Sequence, residues 1–143
     1  MPKPVVSRAS TVWTGDLFTG SGSTSLNGSG LGPFDVDWST RAEDGAGPRT
    51  SPEELLASAH ATCYSMALSN MLAQNDTPPT RLDSSAEVTF VAGEGITAIG
   101  LTVEAQVENI SAEDFDRIAE EAKTGCPVSQ ALSVDITLNA SLL

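Results

Sequence analysis

The sequence predicts an α+β fold in which antiparallel sheets surround one long central helix. Three observations carry this. The stretch from Thr50 to Ala73, TSPEELLASAHATCYSMALSNMLA, is apolar or small nearly all round and long enough for six turns. Short alternating segments on either side of it pair off into hairpins around Gly-rich turns. Strands and helices are partly segregated, with no regular strand–helix–strand alternation.

The first elements are strands. Thr11 to Asn27, TVWTGDLFTGSGSTSLN, reads as two strands around a Gly20–Gly22 turn. Phe34 to Ser39 sets Phe34, Val36 and Trp38 on one face against Asp35, Asp37 and Ser39, giving a third, half-buried strand. Thr40-Arg41 and a loop from Glu43 to Arg49, with Gly45, Gly47 and Pro48, deliver the chain to the central helix. Ser51 is its expected cap, Pro52 suits the first helical position, and Glu54 follows three residues after the cap. Asn75-Asp76-Thr77-Pro78-Pro79 ends it near Gln74.

After the helix, Leu82 to Ala92 and Thr97 to Glu108 form a hairpin about Gly93-Glu94-Gly95. Ile99, Leu101, Val103, Ala105 and Val107 alternate with polar or small residues. Ser111 caps a second helix that carries acidic residues in its first turns and ends at Lys123 and Gly125, with Phe115, Ile118, Ala119 and Ala122 as its apolar stripe. CPVSQAL from Cys126 begins a short helical turn, and Val134 to Leu142 is a last strand. One domain of 143 residues is expected. A helix so apolar in so small a chain exceeds what one sheet can cover. Its other side is expected to meet a second copy in a homodimer.

Charge and composition exclude several functions. A formal charge of −12 disfavours nucleic acid and anionic membranes as partners. The segment MPKPVVSRAS lacks the apolar core of a signal peptide, and the central helix holds too many polar residues to span a bilayer. A cytoplasmic protein is expected. Two cysteines 63 residues apart and one histidine form no metal-binding pattern, and no cofactor is expected.

The cysteines carry the chemistry. Cys63 lies in mid-helix, where a small core hydrophobe is the plain reading. As a nucleophile it must become a thiolate, which calls for a cation. His60, three residues earlier, reads either as a partner on the same face or as a core or surface histidine. Arg41 at the strand end is the stronger cation. Glu53 is a carboxylate able to orient it, or simply an acidic residue favouring the helix dipole. Arg49, in a Gly/Pro loop, reads as a solvated surface residue. Glu53 and Cys63 are ten residues apart, about 15 Å along one helix. A site using both takes Glu53 from the second chain or bends the helix near Ser58. Cys126, at a helix start, is placed to stabilise a negative sulfur. If the two cysteines meet, Cys63 can attack a peroxide and Cys126 can close a disulfide that a dithiol reopens. Apolar surroundings of Leu, Met and Phe would favour organic hydroperoxides.

TSPEELLASAHATCYSMALSNML resembles the first cysteine motif of the OsmC/Ohr family of thiol-dependent peroxidases, and AKTGCPVSQAL resembles the second. VWTGDLFTGSGS and the strand-end STR are similar to the OsmC branch, and the likeness runs from about Trp13 to Leu138. The resemblance implies an OsmC-like fold, an intertwined homodimer with two interfacial sites, and reduction of organic hydroperoxides in oxidative or osmotic stress. It implies a dithiol reductant, such as a lipoylated protein. It makes Cys63 the peroxidatic cysteine, Cys126 the resolving one, Glu53 the orienting carboxylate and Arg41 the activating cation. The chain departs from the family pattern at Ala42, Ser51 and Thr62, and in a longer loop carrying Pro48-Arg49, which makes Arg49 the reserve arginine. Two other classes stay open: a dimer that binds an apolar ligand, and a structural stress protein with inert thiols.

Overall fold

A computed structural model describes residues 2–43 and 47–143. They form two compact units, Met1–Pro52 and Glu53–Leu143.

The first unit is a four-stranded sheet in the order β1 (Ala9–Thr14), β2 (Ser21–Leu26), β3 (Leu31–Val36), β4 (Arg49–Thr50), with helix α1 (Trp38–Ala42) between β3 and β4. β1, β2 and β3 are antiparallel, and β4 joins β3 in parallel. The first turn lies earlier than Gly20–Gly22. It spans Gly15 to Gly20, because Gly15 takes φ +94° and the Gly20 N–H closes onto the Asp16 carbonyl at 3.0 Å. Gly22 sits inside β2 opposite Trp13, and a Cβ there would lie 2.7 Å from the Val12 carbonyl oxygen.

The third strand is shifted. It runs Leu31–Val36, and Trp38, Ser39, Thr40 and Arg41 are helical. Asp37 causes the switch, because its carboxylate accepts the Thr40 N–H at 3.0 Å and the Ser39 hydroxyl at 2.8 Å. A capping aspartate of this kind overrides a two-residue alternation. Arg41 therefore stands in the last turn of a short helix, not at a strand end. Of the expected loop, residues 44–46, including Gly45, lie outside the described residues.

The second unit starts with α2 (Pro52–Gln74), one uninterrupted helix. A hairpin of β5 (Pro79–Val91) and β6 (Gly95–Val107) follows, turned at Gly93 and Gly95, both at positive φ. β5 begins three residues before Leu82. Then come α3 (Ala112–Gly125), α4 (Pro127–Ala131) and β7 (Ile136–Leu142). β7 joins β6 in parallel, setting Leu101 beside Leu138 and Val103 beside Ala140. Each sheet thus carries one parallel pairing beside its antiparallel hairpins. The alternation read in β6 is real: Ile99, Leu101, Val103 and Ala105 are buried. They meet Phe115, Ile118, Ala119 and Ala122 of α3 and Tyr64, Leu68 and Leu72 of α2. Ser111 caps α3 through the Asp114 N–H at 3.1 Å.

α2 is covered on one stripe rather than on most sides. His60, Tyr64, Leu68 and Leu72 are buried at fourfold spacing, whereas Met66 remains 69% exposed. No helix among the described residues is long and apolar enough to cross a membrane.

Candidate active site

Both cysteines belong to the second unit, and both are free thiols. Cys63 is half-buried in the middle of α2, and Cys126 is fully buried. Cys126 is the hinge between two helices. Its N–H closes the last turn of α3 on the Ala122 carbonyl at 2.9 Å, and its carbonyl accepts the Gln130 N–H of α4 at 3.0 Å. Pro127 at the first position of α4 needs no N–H partner there. This joint turns the Cys126 side chain onto α2. The Cys126 thiol and the Val128 backbone N–H both lie beside Cys63.

The electrostatics of Cys63 are mixed. Burial pushes its pKa above the ordinary thiol value, and the neighbouring Cys126 adds to that rise. The Val128 N–H works in the opposite direction, toward the thiolate. The second unit has three basic side chains, and each is held by carboxylates: Arg81 by Asp83, Arg117 by Asp114 and Glu121, Lys123 by Glu120.

Arg41 lies in the first unit, which fixes its own helix firmly. Asp37 caps α1, Thr40 Oγ1 lies 2.8 Å from the Thr50 carbonyl of β4, and Phe18 meets the Trp38 ring edge-to-face at 5.4 Å. Hydrogen bonds from Ser39 and the Thr40 N–H, with Arg49 alongside, hold the Asp37 carboxyl below its ordinary pKa. Arg49 is exposed, as its Gly/Pro context suggests, but it is not without a partner. It sits in β4 and forms an ion pair with Asp37. That contact depends on β4 pairing with β3, a long-range feature that the local composition does not signal.

Glu53 is buried, 6% exposed, in the first turn of α2. The helix runs unbroken from Pro52 to Gln74, so Glu53 stands about 15 Å from Cys63 along its axis. The chain thus brings Cys63 and Cys126 together and keeps its own Glu53 away from them.

Three further groups surround the thiols. His60 is fully buried, with Nε2 2.7 Å from Ser129 Oγ. Burial lowers its pKa and favours the neutral imidazole. Tyr64 donates its hydroxyl to the Ala119 carbonyl at 3.1 Å, tying α2 to α3. Burial, first, and then the nearby Glu120 and Cys126 raise its pKa. Sequence reasoning passed over Ser129 and Tyr64. A symmetry of spacing was available as a signal, since His60 precedes Cys63 by three residues and Ser129 follows Cys126 by three. Two grooves open between α2 and β5. Ala61, Thr62 and Ser84 line one of about 280 Å³, Met66 and Leu82 line one of about 670 Å³, and neither is lined by a cysteine. Among the described residues no group of His, Cys, Asp and Glu converges as a metal site.

Comparison with known proteins agrees with this arrangement. The family of OsmC-like proteins matches residues 44–140. Peroxiredoxin OsmC of Escherichia coli (strain K12) is 44% identical over 133 residues, covering 91% of this chain and 92% of that protein. Organic hydroperoxide resistance protein OhrA of Bacillus subtilis (strain 168) is 28% identical over 96 residues, covering 64% and 67%. The crystal structure of an OsmC-like protein from Mycoplasma pneumoniae superposes with a TM-score of 0.72 at 18% identity, over 100% of this chain and 99% of that one. The fold, the two cysteine segments and these relatives lead to one conclusion: the chain belongs to the OsmC-like protein family.

Proposed function

We propose that this protein is a thiol-dependent peroxidase that reduces organic hydroperoxides to alcohols in oxidative or osmotic stress defence. The observation that carries the reading is the proximity of Cys63 to Cys126 across α2 and the start of α4. The names of the relatives, a peroxiredoxin and an organic hydroperoxide resistance protein, support it.

The reaction has three steps. The Cys63 thiolate attacks one oxygen of the O–O bond; the bond breaks, and the leaving alkoxide takes a proton to become the alcohol. Cys63 is now a sulfenic acid. Cys126 attacks that sulfur, the S–O bond breaks, and water leaves with the Cys126 proton as the disulfide forms. A dithiol reductant, such as a lipoyl group on a partner protein, reopens the disulfide by two exchanges and is itself oxidised. This cycle suits a reducing compartment such as the cytoplasm.

Arg41 is the proposed activating cation and Glu53 the carboxylate that orients it. Because Glu53 lies a long way down α2 from Cys63, each site in this reading takes Glu53 from the second chain of a homodimer. The exposed Met66 face of α2 and the exposed Val12, Phe18 and Leu31 of the first unit support a partner copy. The raised pKa of Cys63 favours one second reading, a dimer with inert thiols that binds an apolar ligand or serves as a structural stress protein.

Intact mass separates the two readings. Reduced protein is given one equivalent of cumene hydroperoxide, with hydrogen peroxide in parallel. The peroxidase loses about 2 Da, faster with the organic oxidant. No change with either oxidant means inert thiols and overturns the proposal.

A further inference from the structure

Three consecutive contacts join the first turn of α4 to the middle of α2. Cys126 packs beside the Cys63 sulfur, the Val128 N–H faces that same sulfur, and Ser129 Oγ meets His60 Nε2 at 2.7 Å. The first two are thiol contacts, weak and dependent on geometry. The third is short, buried and made by side chains with no part in the chemistry proposed above. α4 has only five residues, so its own backbone gives it little independent stability. Ser129 is its buried residue, 9% exposed.

The imidazole is neutral, so one nitrogen carries the proton. His60 Nδ1 is buried with no hydrogen-bond partner among the described residues. An unmatched N–H there would be costlier than an unmatched lone pair. The proton therefore belongs on Nε2, which donates to Ser129 Oγ. The bond has a fixed direction, from α2 to α4.

We propose that His60 and Ser129 are the positioning pair of the two cysteines, holding the first turn of α4 on α2 so that the Cys126 thiol captures a Cys63 sulfenic acid before further oxidation. The proposal rests on the peroxidase reading. Neither residue reacts. Capture forms the S–S bond, breaks the S–O bond and releases water with the Cys126 proton, and the hydroperoxide consumed in the first step is the only oxidant. What the pair controls is the approach of one sulfur to the other, where a misplacement of about 1 Å can cost a hundredfold in rate.

The test follows the two steps separately. Reduced wild type, Ser129→Ala, His60→Gln and the double variant are each mixed with one equivalent of cumene hydroperoxide. Samples are quenched over time with dimedone, which traps the sulfenic acid, and read by intact mass. In the variants the disappearance of the Cys63 thiol should stay within about threefold of wild type. Disulfide formation should slow by roughly tenfold to a hundredfold, so the dimedone adduct accumulates. The double variant should be no slower than Ser129→Ala alone, because the two residues act through one bond. A contact of purely structural importance would leave the ratio of the two rates unchanged, and that ratio at its wild-type value in both single variants overturns the inference. A wild-type protein that forms no disulfide overturns the peroxidase reading itself, and this proposal with it.

Discussion

Closing the Cys63–Cys126 disulfide should raise the thermal stability of the protein by an amount its topology sets. The two residues are 63 apart in the chain, and the bridge would close the long helix, the β5–β6 hairpin and α3 into one loop. Chain-entropy arguments assign such a loop about 4 kcal/mol at 25 °C, an upper figure from which native-state strain is subtracted. Strain should be modest, because the two thiols are already neighbours in the reduced state. For a chain of this length, about 3 °C per kcal/mol gives a rise of up to roughly 12 °C. The assay is calorimetry at one protein concentration on dithiothreitol-reduced protein and on protein oxidised with one equivalent of cumene hydroperoxide. Fixed concentration matters because melting of an oligomer depends on it. Cys126→Ser under the same oxidant should show no rise. An oxidised wild type that has lost about 2 Da yet melts at or below the reduced protein would refute the reasoning. It would mean that the bridge distorts the joint of α3 and α4 by as much as the loop entropy stabilises.

Other expectations address separate parts of the structure. Arg41→Ala should slow single-turnover oxidation of Cys63 by at least roughly tenfold, the effect of losing more than about 1.4 kcal/mol of charge stabilisation, whereas Arg49→Ala should leave it near wild type; equal losses in stopped-flow measurements would undo the choice of Arg41. Leu68 is fully buried between α2 and the β6 face, so Leu68→Ala should cost about 2–5 kcal/mol in urea unfolding, and a loss under 1 kcal/mol would contradict the packing. His60 has its pKa lowered by burial from the ordinary 6.5, so the unfolded chain takes up that proton first as the pH falls. Its contribution to stability should therefore be complete above pH 6.5 and decline below it. The stability difference between wild type and His60→Gln, measured from pH 7.5 to 5, should shrink toward acid, and a flat difference would contradict a neutral imidazole.

The parts of this fold that follow one period over many residues were legible. β6 alternates cleanly from Ile99 to Val107, α3 carries both a cap and a stripe, and the structure has both where they were read. Short elements decided by a single side chain were not. Phe34 to Ser39 alternates well enough to pass for a strand, but the Asp37 carboxylate captures the Thr40 N–H and the Ser39 hydroxyl and starts a helix. Arg49 is exposed as read, but its ion pair with Asp37, twelve residues earlier, was not legible because it depends on β4 pairing with β3. The site divides in the same way. Two cysteines in distinctive segments were readable. The 2.7 Å bond from His60 to Ser129 joins residues 69 apart, and only their matching three-residue offsets from the two cysteines hint at it.

The electrostatics of the cysteine pair bear on where reactivity originates. In the second unit burial and Cys126 both favour the Cys63 thiol, and a single backbone N–H opposes them. All three basic side chains of that unit are committed to carboxylates. The unit thus holds two thiols in bonding range but gives the first little tendency to ionise. In the peroxidase reading the missing charge is Arg41, from the other unit, steadied by a Glu53 from a second chain. Arrival of that cation would change the pKa of Cys63 without moving either sulfur, because the geometry for disulfide closure is already built by α2, the Cys126 hinge and the His60–Ser129 bond. In that reading the placement of the sulfurs is local to one unit, and the ionisation of Cys63 is assigned to the proposed Arg41 and Glu53.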